Sequence, residues 1–213
     1  MADGSQRYPG GGLRPVHRRW GDAVSDPRQP LTATRRSVLP MATTIATDER
    51  LRATTAFTVV ASPVGPLTLA GNPDALTTVW FDGTPPAAAG GDVREDPGPF
   101  RGAAAQLEAY FAGERHEFDL VLAPTGTAFQ LSVWRGLLEI PYGETRSYGQ
   151  LAARLGNPGG SRAVGLANGR NPVAIVVPCH RVIGADGTLT GYAGGMDRKR
   201  LLLDLEAGVG SLL

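Results

Sequence analysis

The nonapeptide Ile175-Val176-Val177-Pro178-Cys179-His180-Arg181-Val182-Ile183 constrains this chain more than any other stretch. Its apolar, β-branched opening, stopped by proline, reads as an interior strand. Proline offers no N–H to a ladder, so the strand is expected to end at Pro178 with Cys179 at its mouth. Cys179 is the only cysteine of the 213 residues. A thiol whose unperturbed pKa is about 8.5 is mostly protonated at neutral pH. An adjacent imidazole held by a carboxylate can take that proton and leave a strong nucleophile. Taken alone, a cysteine behind an apolar run is most simply an inert packing residue. The flanking sequence decides between the two.

One cysteine excludes an internal disulfide and a multi-cysteine zinc site, and it suits a reducing compartment. His17, His116 and His180 have no metal-ligand spacing, so no metal is expected. No apolar run approaches the roughly 18 to 20 residues of a membrane span, and a soluble, cytoplasmic protein is the expectation. The net charge of +1 is unevenly spread. Residues 1–50 hold 8 basic and 5 acidic side chains, residues 51–125 hold 4 and 9, and residues 126–213 hold 9 and 6. A positive carboxy-terminal third is compatible with a nucleic-acid surface. Lys199 is the only lysine; coding bias explains the excess of arginine.

The chain divides into three. Residues 1–52, rich in Gly, Pro, Arg, Ser and Thr, read as a disordered tail without the apolar core of a secretory signal. Translation starting at Met41 is an alternative reading of that tail. Residues 53–125 read as a small α/β domain with a short antiparallel sheet and a supporting role. Phe57 to Ala61, Leu67 to Ala70 and Ala75 to Phe81 are its strands, separated by Pro/Gly and Asn-Pro-Asp turns. A helix over Arg101 to Ala112 and a strand over Glu117 to Leu122 complete it.

Residues 126–213 read as a mainly helical domain. Thr127-x-x-Gln130 and Ser147-x-x-Gln150 are capping boxes that open two helices. Phe129, Val133, Trp134, Leu137 and Leu138 form the core face of the first. The second, ending near Gly156, is followed by a Pro158-Gly159-Gly160 turn and a third helix capped by Ser161, a helix-turn-helix candidate. That third helix alternates Ala163, Gly165, Ala167 and Gly169 with larger residues. Glycine within a helix costs about 1 kcal/mol relative to alanine, and small side chains permit close approach to another surface. Leu189 to Tyr192 reads as a short strand, and Asp197 as the cap of a last helix reaching Glu206.

Asn171-Pro172, the apolar run and Pro178-Cys179-His180-Arg181-Val182 together resemble the active-site signature of the O6-alkylguanine-DNA alkyltransferases (the methylated-DNA–protein-cysteine methyltransferase family). Tyr142-Gly143-Glu144-Thr145, Ser147-Tyr148 and Gly191-Tyr192-Ala193-Gly194-Gly195 match in order and spacing. The resemblance is dense from Phe129 to Glu206 and thinner from Phe57 to Thr127. It implies DNA repair by irreversible, single-turnover transfer of an alkyl group from O6 of guanine to Cys179, with no cofactor; O4 of thymine is a further candidate substrate atom.

By the same resemblance His180 is the general base, acting through water, and Glu206 orients it. Asn171 braces the turn before the active-site strand. Tyr148 supports protonation of the leaving guanine and rotation of its phosphate. Arg162 is a finger that fills the gap left by a flipped base, with Ser161, Ala163, Gly165 and Ala167 lying along the minor groove. Tyr192, Ala193, Gly194 and Val182 contact the alkylguanine; alanine at 193 offers only its backbone N–H where some members carry serine. The implied partner is double-stranded DNA containing O6-alkylguanine, bound by a monomer. A non-catalytic lesion-binding protein, a helix-turn-helix regulator and a cysteine hydrolase are the alternatives. The first lacks the cysteine, the second has no use for Cys179 or Glu206, and no feature suggests an acyl pocket.

Overall fold

A computed structural model describes residues 42–83 and 93–209. The expected tail largely precedes this range. Its last part does not behave as a tail: β1 (Thr44–Ile45) pairs in parallel with Val121 and Leu122, and Glu49–Arg52 forms a 3-10 turn capped by Asp48. Those residues gain order because Ile45 is buried against the sheet they extend.

Three antiparallel strands form the centre of the first domain: β2 (Ala56–Val60), β3 (Leu67–Asn72) and β4 (Ala75–Phe81). Two short parallel strands complete its mixed sheet. β5 (Arg94–Glu95) lies beside β2, and β6 (Val121–Leu122), at the end of the longer strand expected over 117–122, lies beside β4 and β1. The order is β1-β6-β4-β3-β2-β5. Every residue of β3 but the last is buried, the signature of a strand covered on both faces. Between β5 and β6, α1 (Arg101–Phe111) buries Ala103, Leu107, Tyr110 and Phe111, spaced for one helical stripe.

Both capping boxes form. Thr127 opens α2 (Ala128–Leu138), and Ser147, in β7 (Arg146–Ser147), opens α3 (Tyr148–Arg154). A turn leads to α4 (Ser161–Gly169), where Gly160 rather than Ser161 is the cap and no side chain takes that role. α4 packs on α2 and α3, with Val164 and Ala167 inward. Trp134 of α2 is fully buried and donates its indole N–H to the Ala167 carbonyl at 3.0 Å. Phe129, expected in the same core, is 38% exposed, because it sits in the first turn of α2, before the helix runs under its neighbours. β8 (Val182–Ile183) pairs with β7, and α5 (Met196–Glu206) closes the domain with Gly195 at its cap and Asp197 in its first turn.

Two expected strands are absent. Residues 189–192 have no regular structure, and the apolar run before Cys179 is not an active-site strand but a pair of tight turns. Val176 N–H bonds to the Ala174 carbonyl at 2.8 Å around Ile175, whose φ is 71°. Cys179 N–H bonds to the Val177 carbonyl at 2.8 Å around Pro178, at φ −81° and ψ 63°. Both are three-residue γ-turns, and the first has the strained hand that a β-branched residue rarely adopts. The segment docks on β4: Val79 N–H reaches the Pro172 carbonyl at 3.0 Å, and Ala174 N–H reaches the Val79 carbonyl at 2.8 Å. The segment that carries Cys179 is thus seated on the first domain's sheet. Among the described residues no helix is long and apolar enough to cross a membrane.

Replacing Trp134 with Phe keeps a buried ring but removes the indole donor, leaving the Ala167 carbonyl only its 3.2 Å bond from the Arg170 N–H. The lost hydrogen bond and the smaller ring together should cost about 1–3 kcal/mol in urea unfolding; a loss below about 0.5 kcal/mol, within the range of an ordinary surface substitution, contradicts that role.

Candidate active site

The second γ-turn delivers Cys179 to the start of a 3-10 turn, Cys179–Arg181, with all three side chains buried. Asn171 holds this geometry from below. Its side-chain N–H group donates to the Val177 carbonyl at 2.8 Å and to Cys179 Sγ at 3.1 Å, while its Oδ1 accepts from Val173 N–H at 3.0 Å. Asn168, at the end of α4, donates to the Cys179 carbonyl at 3.3 Å. Cys179 lines a small, partly open pocket with Trp80 and Phe81 of β4, Asn168, Asn171, Tyr192 and Gly194.

Behind the cysteine lies a buried carboxylate. Glu206 Oε1 is 2.8 Å from His180 Nε2, accepts from Arg181 Nη2 at 2.9 Å, and accepts from the Tyr110 hydroxyl at 2.7 Å. Its Oε2 accepts from Arg181 Nε at 2.8 Å and from Gly143 N–H at 3.2 Å. Arg181 spends its remaining nitrogen on the Ile140 carbonyl at 2.6 Å. Gly143 needs to be glycine: its φ is 74°, and a β-carbon there would lie 3.0 Å from the Glu206 carbonyl oxygen.

Burial alone would push the Glu206 carboxyl up, but His180 and Arg181 together hold it well below the ordinary carboxylate range. Burial pulls His180 below its ordinary value, against the opposing pull of Glu206, so the ring is neutral at pH 7. The permanent charge that keeps Glu206 ionised is therefore that of Arg181. An ionised carboxylate only accepts, so Nε2 carries the ring proton. That leaves Nδ1 as a free lone pair, buried and without a hydrogen-bond partner among the described residues. Burial raises the Cys179 thiol as well, while the Asn171 amide, the nearby Tyr192 hydroxyl and Lys199 pull it back in part. Lys199 is fully buried, donates to the Val182 and Thr190 carbonyls at 2.6 and 3.0 Å, and is brought down by burial to about 8. It remains mostly charged at pH 7, a fixed cation near the sulfur. The arrangement can take a proton from a thiol and steady the anion that results.

The structure gathers Cys179, His180, Glu206, Asn171, Tyr192, Ala193 and Gly194 at one place. Tyr148 is near enough for the Cys179 sulfur to raise its phenol further, after burial as the main cause. Val182 does not line that pocket: its side chain is wholly buried, its N–H bonds to the Cys179 carbonyl, and its own carbonyl accepts from Lys199. Along α4, Arg162 and Ala163 are exposed, Ser161 and Gly165 are half-buried, and Gly165 lies against the Tyr148 ring. Ala167 faces the core instead of outward, because its position one turn from Val164 follows the buried stripe. Arg181, Tyr110, Lys199, Trp80 and Phe81 were not singled out. Arg181 stands in the signature itself. Lys199, buried though it is the chain's only lysine, was the other available signal.

Two family models match. The "6-O-methylguanine DNA methyltransferase, ribonuclease-like domain" covers residues 56–124, and the "6-O-methylguanine DNA methyltransferase, DNA binding domain" covers residues 128–208. The methylated-DNA–protein-cysteine methyltransferase of Mycobacterium tuberculosis H37Rv is 57% identical over 150 residues, 70% of this chain and 91% of the relative. That of Methanosarcina acetivorans is 57% identical over 151 residues, 70% of this chain and 97% of the relative. The crystal structure of M. tuberculosis OGT in complex with DNA superposes with a TM-score of 0.69 at 55% identity, covering 74% of this chain and 96% of that one.

Changing Glu206 to Gln leaves Arg181 buried without its anion, and a loss of about 3–5 kcal/mol at pH 7 is expected. Since the folded Glu206 carboxyl is depressed, its contribution is full above the unfolded value of about 4.3 and fades as the pH falls from there toward the folded value. Urea unfolding of the native and variant proteins across that range should show the deficit narrowing in acid. A deficit that stays constant down to pH 3 contradicts the assignment.

Proposed function

The chain belongs to the 6-O-methylguanine DNA methyltransferase family, and on that footing we propose that it repairs DNA by moving an alkyl group from O6 of guanine to Cys179 Sγ. The observation that carries the assignment of the acceptor is the placement of the only cysteine in a pocket beside the buried His180–Glu206 pair. His180 Nδ1 takes the thiol proton, directly or through one water, and Glu206 stabilises the imidazolium that forms. The Asn171 amide and the Lys199 charge steady the thiolate. The sulfur then forms a bond to the alkyl carbon as the carbon–O6 bond breaks in line, and guanine departs with the electron pair. Tyr148, its phenol raised by burial, donates to guanine N3 and supports protonation of the leaving base; water restores the phenol's proton and carries away the one held by His180, so no net charge remains. The thioether has no step that reverses it, so each molecule reacts once.

DNA is the partner, as in the complex formed by the M. tuberculosis protein. Cys179 is too deeply buried to reach a base still stacked in a duplex, so the alkylguanine must be flipped into the pocket. The exposed face of α4, carrying Arg162, Ala163 and Leu166, meets the minor groove; Leu166 is 67% exposed. Arg162 fills the vacated stack and offsets part of the few kcal/mol that flipping costs. Residues 126–213 hold the DNA and carry the reaction as a monomer. Residues 53–125 supply part of the pocket wall through Trp80 and Phe81, and a donor to Glu206 through Tyr110.

Changing Cys179 to Ser should abolish transfer from an O6-methylguanine duplex and leave duplex affinity within about threefold, a change worth under 1 kcal/mol. Transfer by the variant contradicts the assignment of the acceptor. Changing Arg162 to Ala should slow repair of duplex DNA about tenfold or more, and slow reaction with free O6-benzylguanine far less. Equal losses on the two substrates rule out the finger role.

A further inference from the structure

Arg198, in the first turn of α5, directs its hydrogen bonds away from the Cys179–His180–Glu206 group, and each nitrogen of its guanidinium is engaged. Nη1 donates to the Gly194 carbonyl at 3.0 Å, Nε donates to the Val64 carbonyl at 2.8 Å, and Nη2 pairs with Asp82 Oδ1 at 2.9 Å. Its guanidinium carbon lies 4.9 Å from the centre of the Phe81 ring. Phe81 meets Tyr192 edge-on with centroids 6.0 Å apart, and it abuts Gly194 so closely that a β-carbon there would overlap the ring. Tyr192 and Gly194 are walls of the Cys179 pocket; Val64 and Asp82 belong to the loops beside β3 and β4.

The wall has little else to hold it. Residues 184–195 contain no helix and no strand; backbone turns close 184–188 and 192–195, and side chains tie the segment to the rest of the molecule. Lys199 grips one end through the Thr190 carbonyl from inside, and Arg198 grips the other through the Gly194 carbonyl from outside. Asp82, where Arg198 ends, holds φ at 85°, a conformation that costs a non-glycine residue energy and persists where surroundings enforce it. The Arg198–Asp82 pair is partly exposed, and such pairs add little to stability. Its effect is on geometry.

We propose that Arg198 is a positioning residue that sets the width of the alkyl pocket by latching the Tyr192–Gly194 wall to the first domain's sheet. This rests on the alkyl-transfer reading above. In-line attack needs the carbon about 3–3.5 Å from sulfur, and a misplacement of about 1 Å can cost on the order of a hundredfold in rate. A methyl group is too small to hold the base in place, so its transfer depends on the wall. A benzyl group fills a widened pocket with its own bulk.

The test compares transfer rates from duplexes carrying O6-methylguanine and O6-benzylguanine, using the native protein and Arg198→Met, Arg198→Lys and Asp82→Asn. Arg198→Met should lower methyl transfer about tenfold and benzyl transfer far less, raising the benzyl-to-methyl ratio by about fivefold or more. Asp82→Asn and Arg198→Lys should move the ratio the same way by a smaller factor, and they carry the test if Arg198→Met does not fold. Hydrogen exchange should quicken over residues 190–195. A merely structural role would slow both transfers equally, so a ratio unchanged in all folded variants overturns the latch. A native protein that transfers neither group would overturn the alkyl-transfer reading, and the latch with it.

Discussion

A buried negative charge organises this protein. Glu206 sits where a lone carboxylate would cost several kcal/mol, and it is tolerated because five hydrogen bonds converge on its two oxygens. The donors come from three places in the chain: Tyr110 in α1, Gly143 in the loop after α2, and His180 and Arg181 in the turn that begins at Cys179; Glu206 itself ends α5. Satisfying one carboxylate therefore brings both domains and the reacting turn into register. Arg181 supplies the permanent countercharge, and burial leaves His180 neutral with its Nδ1 lone pair free.

The cysteine is prepared by opposing influences. Burial keeps its proton on; the Asn171 amide, the Tyr192 hydroxyl and Lys199 lower the cost of removing it in part. The turn that delivers it is strained at Ile175 and braced by Asn171 and by β4. Strain of this kind costs about 1–3 kcal/mol and survives where the surroundings over-determine it. Docking on β4 also explains why the first domain belongs to the site, a larger part than the supporting role expected of it.

What was legible in the sequence was local. The capping boxes at Thr127 and Ser147 are four-residue rules, and both form. β2, β3, β4 and α1 carry their periodicity in consecutive residues. The Pro-Cys-His-Arg signature led to Cys179, and Asn171 and Glu206 followed from family resemblance. What was hidden depends on distant partners. Ile175 to Val177 have the composition of a strand, but the Val176 and Val177 N–H groups turn back to the Ala174 and Val173 carbonyls, and the Asn171 side chain takes the Val177 carbonyl. Tyr110 gives no sign of its task in its own helix, where it reads as one more stripe residue, and its acceptor lies 96 residues away. Phe129 was assigned from a helical face and Ala167 from the family resemblance, and only the packing of α4 on α2 decides which residues are covered.

The most direct test of the account is intact-protein mass spectrometry with peptide mapping, after incubation with a duplex carrying O6-methylguanine. The account predicts one methyl group per protein molecule, located on Cys179, with the reaction stopping at a one-to-one yield. A protein that binds the lesion tightly and stays unmodified, or one that gains its methyl group on another residue, would contradict it.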